Sequence, residues 1–198
     1  MSDIEKNWEK FLSAKRLKEN LISISLFITT FELFKKRIID MPKVFFTDEF
    51  DKDKGWLINQ EEYAKDVLVK SKSLIYASLF WFKELGAIEQ RDISKFDEIK
   101  RHRNDLVHNL FEFISNTQKE LDVEKFLDLI ELFIKIEKWW IINFECEINP
   151  ELRNNKELKL DEVITPSQWQ LKLLLDIALG NEPEENFYFN YFINNKSS

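Results

Sequence analysis

The sequence predicts an all-α fold, a bundle of about five main helices followed by an aromatic C-terminal tail. The 198 residues include only three Gly and four Pro, whereas sandwiches and doubly wound sheets need many tight turns. Apolar residues make up 44% and charged residues 33% of the chain, so a packed core is expected. Along most of the chain the apolar residues recur at helical spacing rather than in alternation.

The first helical pattern covers residues 4–40, with a break expected near Ser13. Apolar residues here follow the i, i+3, i+4 spacing of one buried face: Leu17, Leu21, Ile24, Phe27, Ile28, Phe31, Phe34 and Ile38. Pro42 is expected to end this helix, because proline disfavours helix in the residue before it. Residues 43–60 are then predicted to form a long loop whose apolar patches fold back onto the helices.

Two further helices are predicted in the middle of the chain. Asn59 can cap a second helix over residues 60–85, and Gly86 is expected to end it in the left-handed conformation that glycine adopts easily. Ser94 and Asp97 form a weak capping signal for a third helix that reaches about Ser115.

The C-terminal part contains the clearest helix signals. Asp122 can cap a fourth, strongly apolar helix that runs to about Glu147 and stops before Pro150. Thr165, Pro166 and Gln168 form a capping box with proline at the first helical position, which starts a fifth helix ending at Leu179 and Gly180. The aromatic tail that follows is expected to dock on its own core or on a partner. Residues 1–150 are thus assigned to one helical domain, and residues 151–198 to a helix and tail packed on it.

Charge and cysteine content restrict the environment. The net charge of −7 argues against non-specific coating of nucleic acid, but it leaves room for a local basic site. Cys146 is the only cysteine, which excludes an internal disulfide framework and fits a reducing, cytoplasmic compartment. No apolar signal core is evident at the start of the sequence. The most apolar stretch, residues 21–34, contains Glu32 and is too short to cross a bilayer, so no membrane association is expected.

Both histidines of the chain fall in one dense polar segment, residues 100–109. On a helix, Asn104 and His108 share a face, and Arg101 can pair with Asp105. Arg103 and His108 lie about 140° apart around the helix, so one copy does not close a pocket. Two copies that face each other across a two-fold axis would line a shared cleft with two Arg and two His.

Arg103, the polar Asn104, three further residues and His108 resemble the R-x4–6-H motif of the HEPN superfamily, in which a polar residue often follows the Arg. The motif lies early in the predicted third helix, and the resemblance extends to the topology of roughly the first three-quarters of the chain. It implies an HEPN-like helical domain that is a homodimer. Active HEPN proteins are metal-independent ribonucleases, and others are non-catalytic dimerisation or nucleotide-binding modules.

The resemblance implies roles for individual residues. His108 would act as general acid or base on the ribose 2′-hydroxyl or the leaving 5′-oxygen, and Arg103 would bind the scissile phosphate. Asn104 would support them, and Arg101 and His102 would contact RNA. The expected function is a metal-independent endoribonuclease of the toxin or anti-phage defence type, which cleaves RNA at a composite dimer site to a 2′,3′-cyclic phosphate without a cofactor.

Alternatives remain for this segment and for one other. The motif can belong to a non-catalytic HEPN-like module that dimerises and binds a protein partner such as an antitoxin, or it can be a solvated basic turn. Asp51, Asp53 and Glu62 are spaced like calcium ligands, but Gly55 falls at loop position 5 where position 6 is required. A solvated acidic loop is therefore favoured there, and no metal site is expected.

Overall fold

A computed structural model describes residues 2–149, 163–179 and 184–195, and these residues are predominantly helical, which confirms the predicted fold class. They also contain one two-stranded antiparallel sheet. The elements in chain order are α1 (Asp3–Leu12), α2 (Ala14–Phe45), β1 (Thr47–Asp51), β2 (Gly55–Ile58), α3 (Gln60–Asp66), a 3₁₀ turn (Leu68–Lys70), α4 (Leu74–Glu84), α5 (Gln90–His108), α6 (Leu110–Ser115), α7 (Val123–Trp140), a π-helical segment (Ile141–Glu145), α8 (Cys146–Ile148), α9 (Pro166–Leu179) and α10 (Glu184–Asn195).

The first two helices follow the predicted pattern, including the break. Ser13 ends α1 in an extended conformation and caps α2, because its side-chain oxygen accepts the Arg16 N–H at 3.4 Å. The prediction that Pro42 ends the helix is wrong, since α2 continues to Phe45. Pro42 lacks only one donor N–H. It is buried in the last turn, where its carbonyl still accepts the Phe46 N–H at 3.1 Å.

The predicted loop at residues 43–60 is a β-hairpin instead. Phe50 pairs with Trp56 across the two strands, and their ring centroids lie 5.2 Å apart. The turn forms because the Asp51 carboxylate accepts the backbone N–H groups of Asp53 and Lys54 and Gly55 adopts a φ of 78°. The Asp51 side chain thus serves a local turn.

The second predicted helix is interrupted in the middle. After α3, the chain forms the 3₁₀ turn and then becomes extended at Ser71, whose side-chain oxygen accepts the Ser73 N–H at 3.1 Å. Serine side chains compete for backbone hydrogen bonds in this way, and α4 begins only at Leu74. The predicted end at Gly86 is confirmed: Gly86 has a φ of 78°, and the Ala87 N–H returns to the Phe82 carbonyl at 2.9 Å, a Schellman motif.

The third predicted helix has different limits. It begins at Gln90, where Glu89 and Asp92 form a reciprocal capping box, rather than at Ser94. It also ends early, since α5 stops at His108 and the non-helical Asn109 separates it from α6. Because α5 ends at His108, the segment from Arg103 to His108 forms the last turns of this helix.

The C-terminal helices begin where the sequence places them. Asp122 caps α7 by accepting the Lys125 N–H, and Thr165 and Gln168 exchange the two bonds of the predicted capping box. The buried Glu137 carboxylate of α7 accepts both the N–H and the hydroxyl of Ser167. These two hydrogen bonds fix the start of α9 against α7. The predicted stops at Pro150 and Gly180 lie outside the described residues.

The core surrounds α2, which packs against α4, α5, α7 and α9. Its centre consists of aromatic rings in direct contact, such as Phe34 with Phe133 at 5.4 Å and Phe31 with Phe96 at 5.8 Å between centroids. Burial of each such ring stabilises the fold by about 1.5–3 kcal/mol. The aromatic tail forms α10, which contacts α9. Within the described parts of the chain, no helix combines the length and apolarity needed to cross a bilayer.

Candidate functional site

The segment from Arg103 to His108 forms the C-terminal end of α5, not an early part of a helix as predicted. Leu106 is fully buried and turns one side of this segment into the core. His108 is exposed on the opposite side, and Arg103 and Asn104 are partly exposed. The end of α5 therefore presents polar side chains at the protein surface while Leu106 anchors it from beneath.

Arg103 extends toward α2. Its Nη2 donates to the Glu32 carboxylate, and the guanidinium lies 5.4 Å from the centroid of the Phe31 ring. Its Nη1 donates to the Asn104 side-chain oxygen at 3.3 Å. The Arg103 Nε atom is buried and makes no hydrogen bond within the described part of the chain. The side chain as a whole is still 26% exposed.

The other polar residues of the segment have different partners from those expected. Asn104 contacts Arg103 and not His108. Arg101 is exposed, and its Nε donates to the Asp97 carbonyl at 3.4 Å; it does not pair with Asp105. The Asp105 carboxylate instead accepts from Asn109 at 2.6 Å and forms an ion pair with Lys119, so hydrogen bonding and this cation lower its pKa.

His108 is the last residue of α5 and is solvent-exposed. No hydrogen bond to its ring is formed by any residue that the structure describes. Helical geometry separates it from Arg103 by about 7.5 Å along the axis and about 140° around it. One chain therefore displays both groups at the same helix end but does not join them in one pocket.

His102 is partly buried, and its expected contact with RNA stays a prediction. Its ring packs edge-on against Phe27 and Phe113, with centroids 5.3 and 6.0 Å away, and its Nε2 accepts the Asp122 N–H at 3.1 Å. Burial lowers the pKa of His102, and the nearby Asp122 carboxylate opposes part of that shift. The neutral ring thus supports the start of α7 as a hydrogen-bond acceptor.

Glu32 is the residue of this site that sequence reasoning did not assign. It lies on α2, joins Arg103 through a salt bridge and is also 3.6 Å from Lys35. A charged residue inside the most apolar stretch of the sequence was the available signal, because such a residue needs a partner. The partner comes from α5, 71 positions away.

The site contains no metal-binding arrangement in the described residues, since no group of three or more His, Cys, Asp or Glu is suitably placed there. Comparisons with models of protein families, with curated proteins and with solved structures found no match for this chain. The arrangement at the end of α5 is therefore interpreted from its own chemistry, which combines an exposed imidazole, a partly exposed guanidinium and a carboxylate.

Proposed function

We propose that this protein is an HEPN-like, metal-independent endoribonuclease of the toxin or anti-phage defence type, active as a homodimer. The observation that carries the proposal is the contrast at the end of α5. Arg103 and His108 both reach the surface there, whereas the other histidine of the chain, His102, is partly buried and accepts the Asp122 N–H. The two side chains of the motif are thus available for chemistry.

The proposed reaction needs only these groups and the RNA. One imidazole takes the proton of the ribose 2′-hydroxyl, whose oxygen attacks the adjacent phosphorus. The bond from phosphorus to the 5′-oxygen breaks, and the imidazolium formed in the first step supplies its proton to that leaving oxygen. The products are a 2′,3′-cyclic phosphate and a free 5′-hydroxyl. The Arg103 guanidinium stabilises the negative charge that builds on the phosphate oxygens.

Two copies of the chain supply what one lacks. The divergence of Arg103 and His108 around α5 keeps them from gripping one phosphate together. In a two-fold dimer, Arg103 of one protomer faces His108 of the other, so each of the two Arg103–His108 pairs forms one site with its own imidazole. Asn104, bound to Arg103, would hold the guanidinium in the cleft, and Arg101 would add a phosphate contact at its edge.

A second candidate function is a non-catalytic dimerisation or protein-interaction module, with an antitoxin as one kind of partner. The Glu32–Arg103 ion pair favours it, because a carboxylate already compensates the charge that a phosphate would bind. The net charge of −7 points the same way. In this case the motif stabilises the packing of α5 on α2.

RNA cleavage by the purified full chain in EDTA separates the two functions. The nuclease proposal expects cleavage that survives chelation, yields 2′,3′-cyclic ends, and falls at least 100-fold in Arg103→Ala and His108→Ala. Arg91→Ala is the matched control, since it removes an exposed arginine from the other end of α5. Equal activity in all variants would refute the assigned site. Growth arrest on expression that is lost in the same two variants would indicate a toxin.

A further inference from the structure

Helix α1 turns its apolar side to the solvent and its Lys10 side to the protein, the reverse of the usual arrangement. Its apolar residues Ile4, Trp8 and Leu12 are 71%, 58% and 71% exposed, and they lie on one face because they are four positions apart. The polar residue Lys10, in contrast, is only 5% exposed. An amphipathic helix ordinarily buries its apolar stripe. We therefore expect another surface to bind the outward apolar face of α1.

Specific hydrogen bonds hold α1 in this orientation. The Lys10 ammonium donates to the carbonyl oxygens of Asn116 and Lys119, each at 2.8 Å. The Asn7 side-chain oxygen accepts both the N–H and the hydroxyl of Thr117, at 2.8 and 2.9 Å. The polar side of α1 is thus tied to the segment between α6 and α7, and rotation of the apolar stripe inward would break all four bonds.

Exposed apolar side chains are also present on α6, which contacts α1, and at the end of α5. Phe111 is 66% exposed and its ring lies 5.7 Å from that of Phe11, with which it borders a cavity of about 250 Å³. Val107 and Leu110, which flank His108 and Asn109, are 41% and 38% exposed. We call the combined surface the α1/α6 face: Ile4, Trp8, Leu12, Val107, Leu110 and Phe111.

The size of the α1/α6 face matches a dimer interface. Its six residues are between 38% and 71% exposed, which at roughly 200 Å² for each large apolar side chain leaves on the order of 700 Å² uncovered. That exceeds the roughly 300–600 Å² of the largest patch on a typical monomer. It approaches the roughly 800 Å² that each partner contributes to a standard stable interface.

We propose that the α1/α6 face binds the same face of a second copy of this chain across a two-fold axis, with the two α1 helices antiparallel. Charge favours this occupant: the exposed Asp3 and Glu5 lie at the start of α1, and the exposed Lys15 and Arg16 follow its end. An antiparallel pair places each acidic end beside the partner's basic end. The cavity bordered by Trp8 and Phe111 and the exposed Leu12 give both copies a recess and a projection, as a self-complementary interface requires.

Docking at this face would also assemble the proposed active site. The exposed His108 is the neighbour of Val107 in sequence, and Arg103 is about one helical turn before Val107. A partner bound here approaches the motif from the side that a single chain leaves open. This consequence rests on the proposed function, whereas the docking of the second copy does not.

Sedimentation or light scattering of the full chain tests the docking. We expect a dimer for the wild type and an at least tenfold weaker dimer for Trp8→Glu and Phe111→Glu, because a buried unpaired charge opposes association. Trp56→Glu is the matched control, since Trp56 is 70% exposed on β2, outside the face; it should dimerise like the wild type. Unchanged helical circular dichroism verifies folding. A monomeric wild type, or variants that dimerise as well as it does, would overturn the proposal.

Charge reversal tests the antiparallel arrangement. Asp3→Lys and Lys15→Glu should each weaken the dimer several-fold at low salt, and the double variant should restore it. Weakening without restoration would contradict the pairing of opposite helix ends. RNA cleavage separates this inference from the proposed function: a stable dimer without activity refutes the nuclease and leaves the interface standing. A monomeric Phe111→Glu with full activity overturns the claim that docking completes the site.

Discussion

His102 and His108 occupy two regions of one helix, six residues apart, and their surroundings are opposite. His102 packs between Phe27 and Phe113 and accepts a backbone hydrogen bond from Asp122. His108 ends α5 in solvent, next to the exposed Val107. Six residues rotate a side chain about 120° short of two full turns, which moves it from the core side to the outer side. The same residue type is thus assigned to stability at one position and to chemistry at the other.

The largest effect that distinguishes the two regions should come from His108→Ala. We expect RNA cleavage to fall about 10²–10⁴-fold, the usual contribution of a general acid or base. The free energy of unfolding should change by no more than about 0.5 kcal/mol, because the ring is exposed. Denaturant unfolding and single-turnover cleavage measure the two quantities. A His108→Ala variant that loses stability but cleaves normally would reverse the assignment.

The opposite pattern is expected for His102→Ala. Loss of the ring removes contacts with two aromatic side chains and leaves the Asp122 N–H without its acceptor, so unfolding free energy should fall by about 1–3 kcal/mol. The activity of the folded fraction should stay within a few-fold of the wild type. Urea denaturation followed by tryptophan fluorescence gives the stability. An unchanged unfolding midpoint would show that His102 does not support α7.

Glu32→Gln tests how strongly Arg103, at the His108 end of α5, binds RNA. Removal of the carboxylate frees the Arg103 charge, so we expect RNA binding to tighten about fivefold and its dependence on salt to steepen by about one phosphate contact. Binding is best measured in the His108→Ala background, where RNA is not cleaved. Glu19→Gln, on an exposed part of the same helix, is the control. Weaker binding in Glu32→Gln would mean that Glu32 positions Arg103 more than it competes with phosphate.

The smallest expected effect is the contribution of His102 to the pH dependence of the unfolding free energy. The folded state lowers the pKa of His102 below its ordinary value of about 6.5, so the unfolded chain binds more protons in the window just below pH 6.5. The contribution of His102 to stability is therefore complete above that window and declines as pH falls through it. We expect His102→Gln, which keeps an acceptor but does not titrate, to show a flatter dependence of unfolding free energy on pH between 7.5 and 5. Parallel curves would contradict the buried neutral ring.

The sequence predicted the features that local chemistry determines. The caps at Asp122 and Thr165 and the stop at Gly86 depend on a few neighbouring residues, and all three are confirmed. The sequence alone did not predict the hairpin, because the Asp51 turn and the pairing of Phe50 with Trp56 indicate a hairpin only when they are considered together. It also placed the end of the third helix beyond Asn109, where no glycine or proline marks the break.

The candidate site was predicted by residue type but not by environment. Arg103, Asn104 and His108 were chosen for their spacing, and whether they act on RNA stays a prediction. Nothing in the segment itself shows that His102 turns inward or that Glu32 meets Arg103, since both depend on how α5 packs against α2 and α7. Such long-range packing cannot be predicted from the pattern of a single sequence.

A mixing experiment tests the central claim, a composite site made of Arg103 from one protomer and His108 from the other. Purified Arg103→Ala and His108→Ala chains, each inactive alone, are combined under conditions that exchange subunits, and RNA cleavage is measured in EDTA. A heterodimer would contain one intact site, so activity should return to about a quarter of the wild-type level when half of the dimers are mixed. Verified subunit exchange with no recovery of cleavage would contradict the composite site.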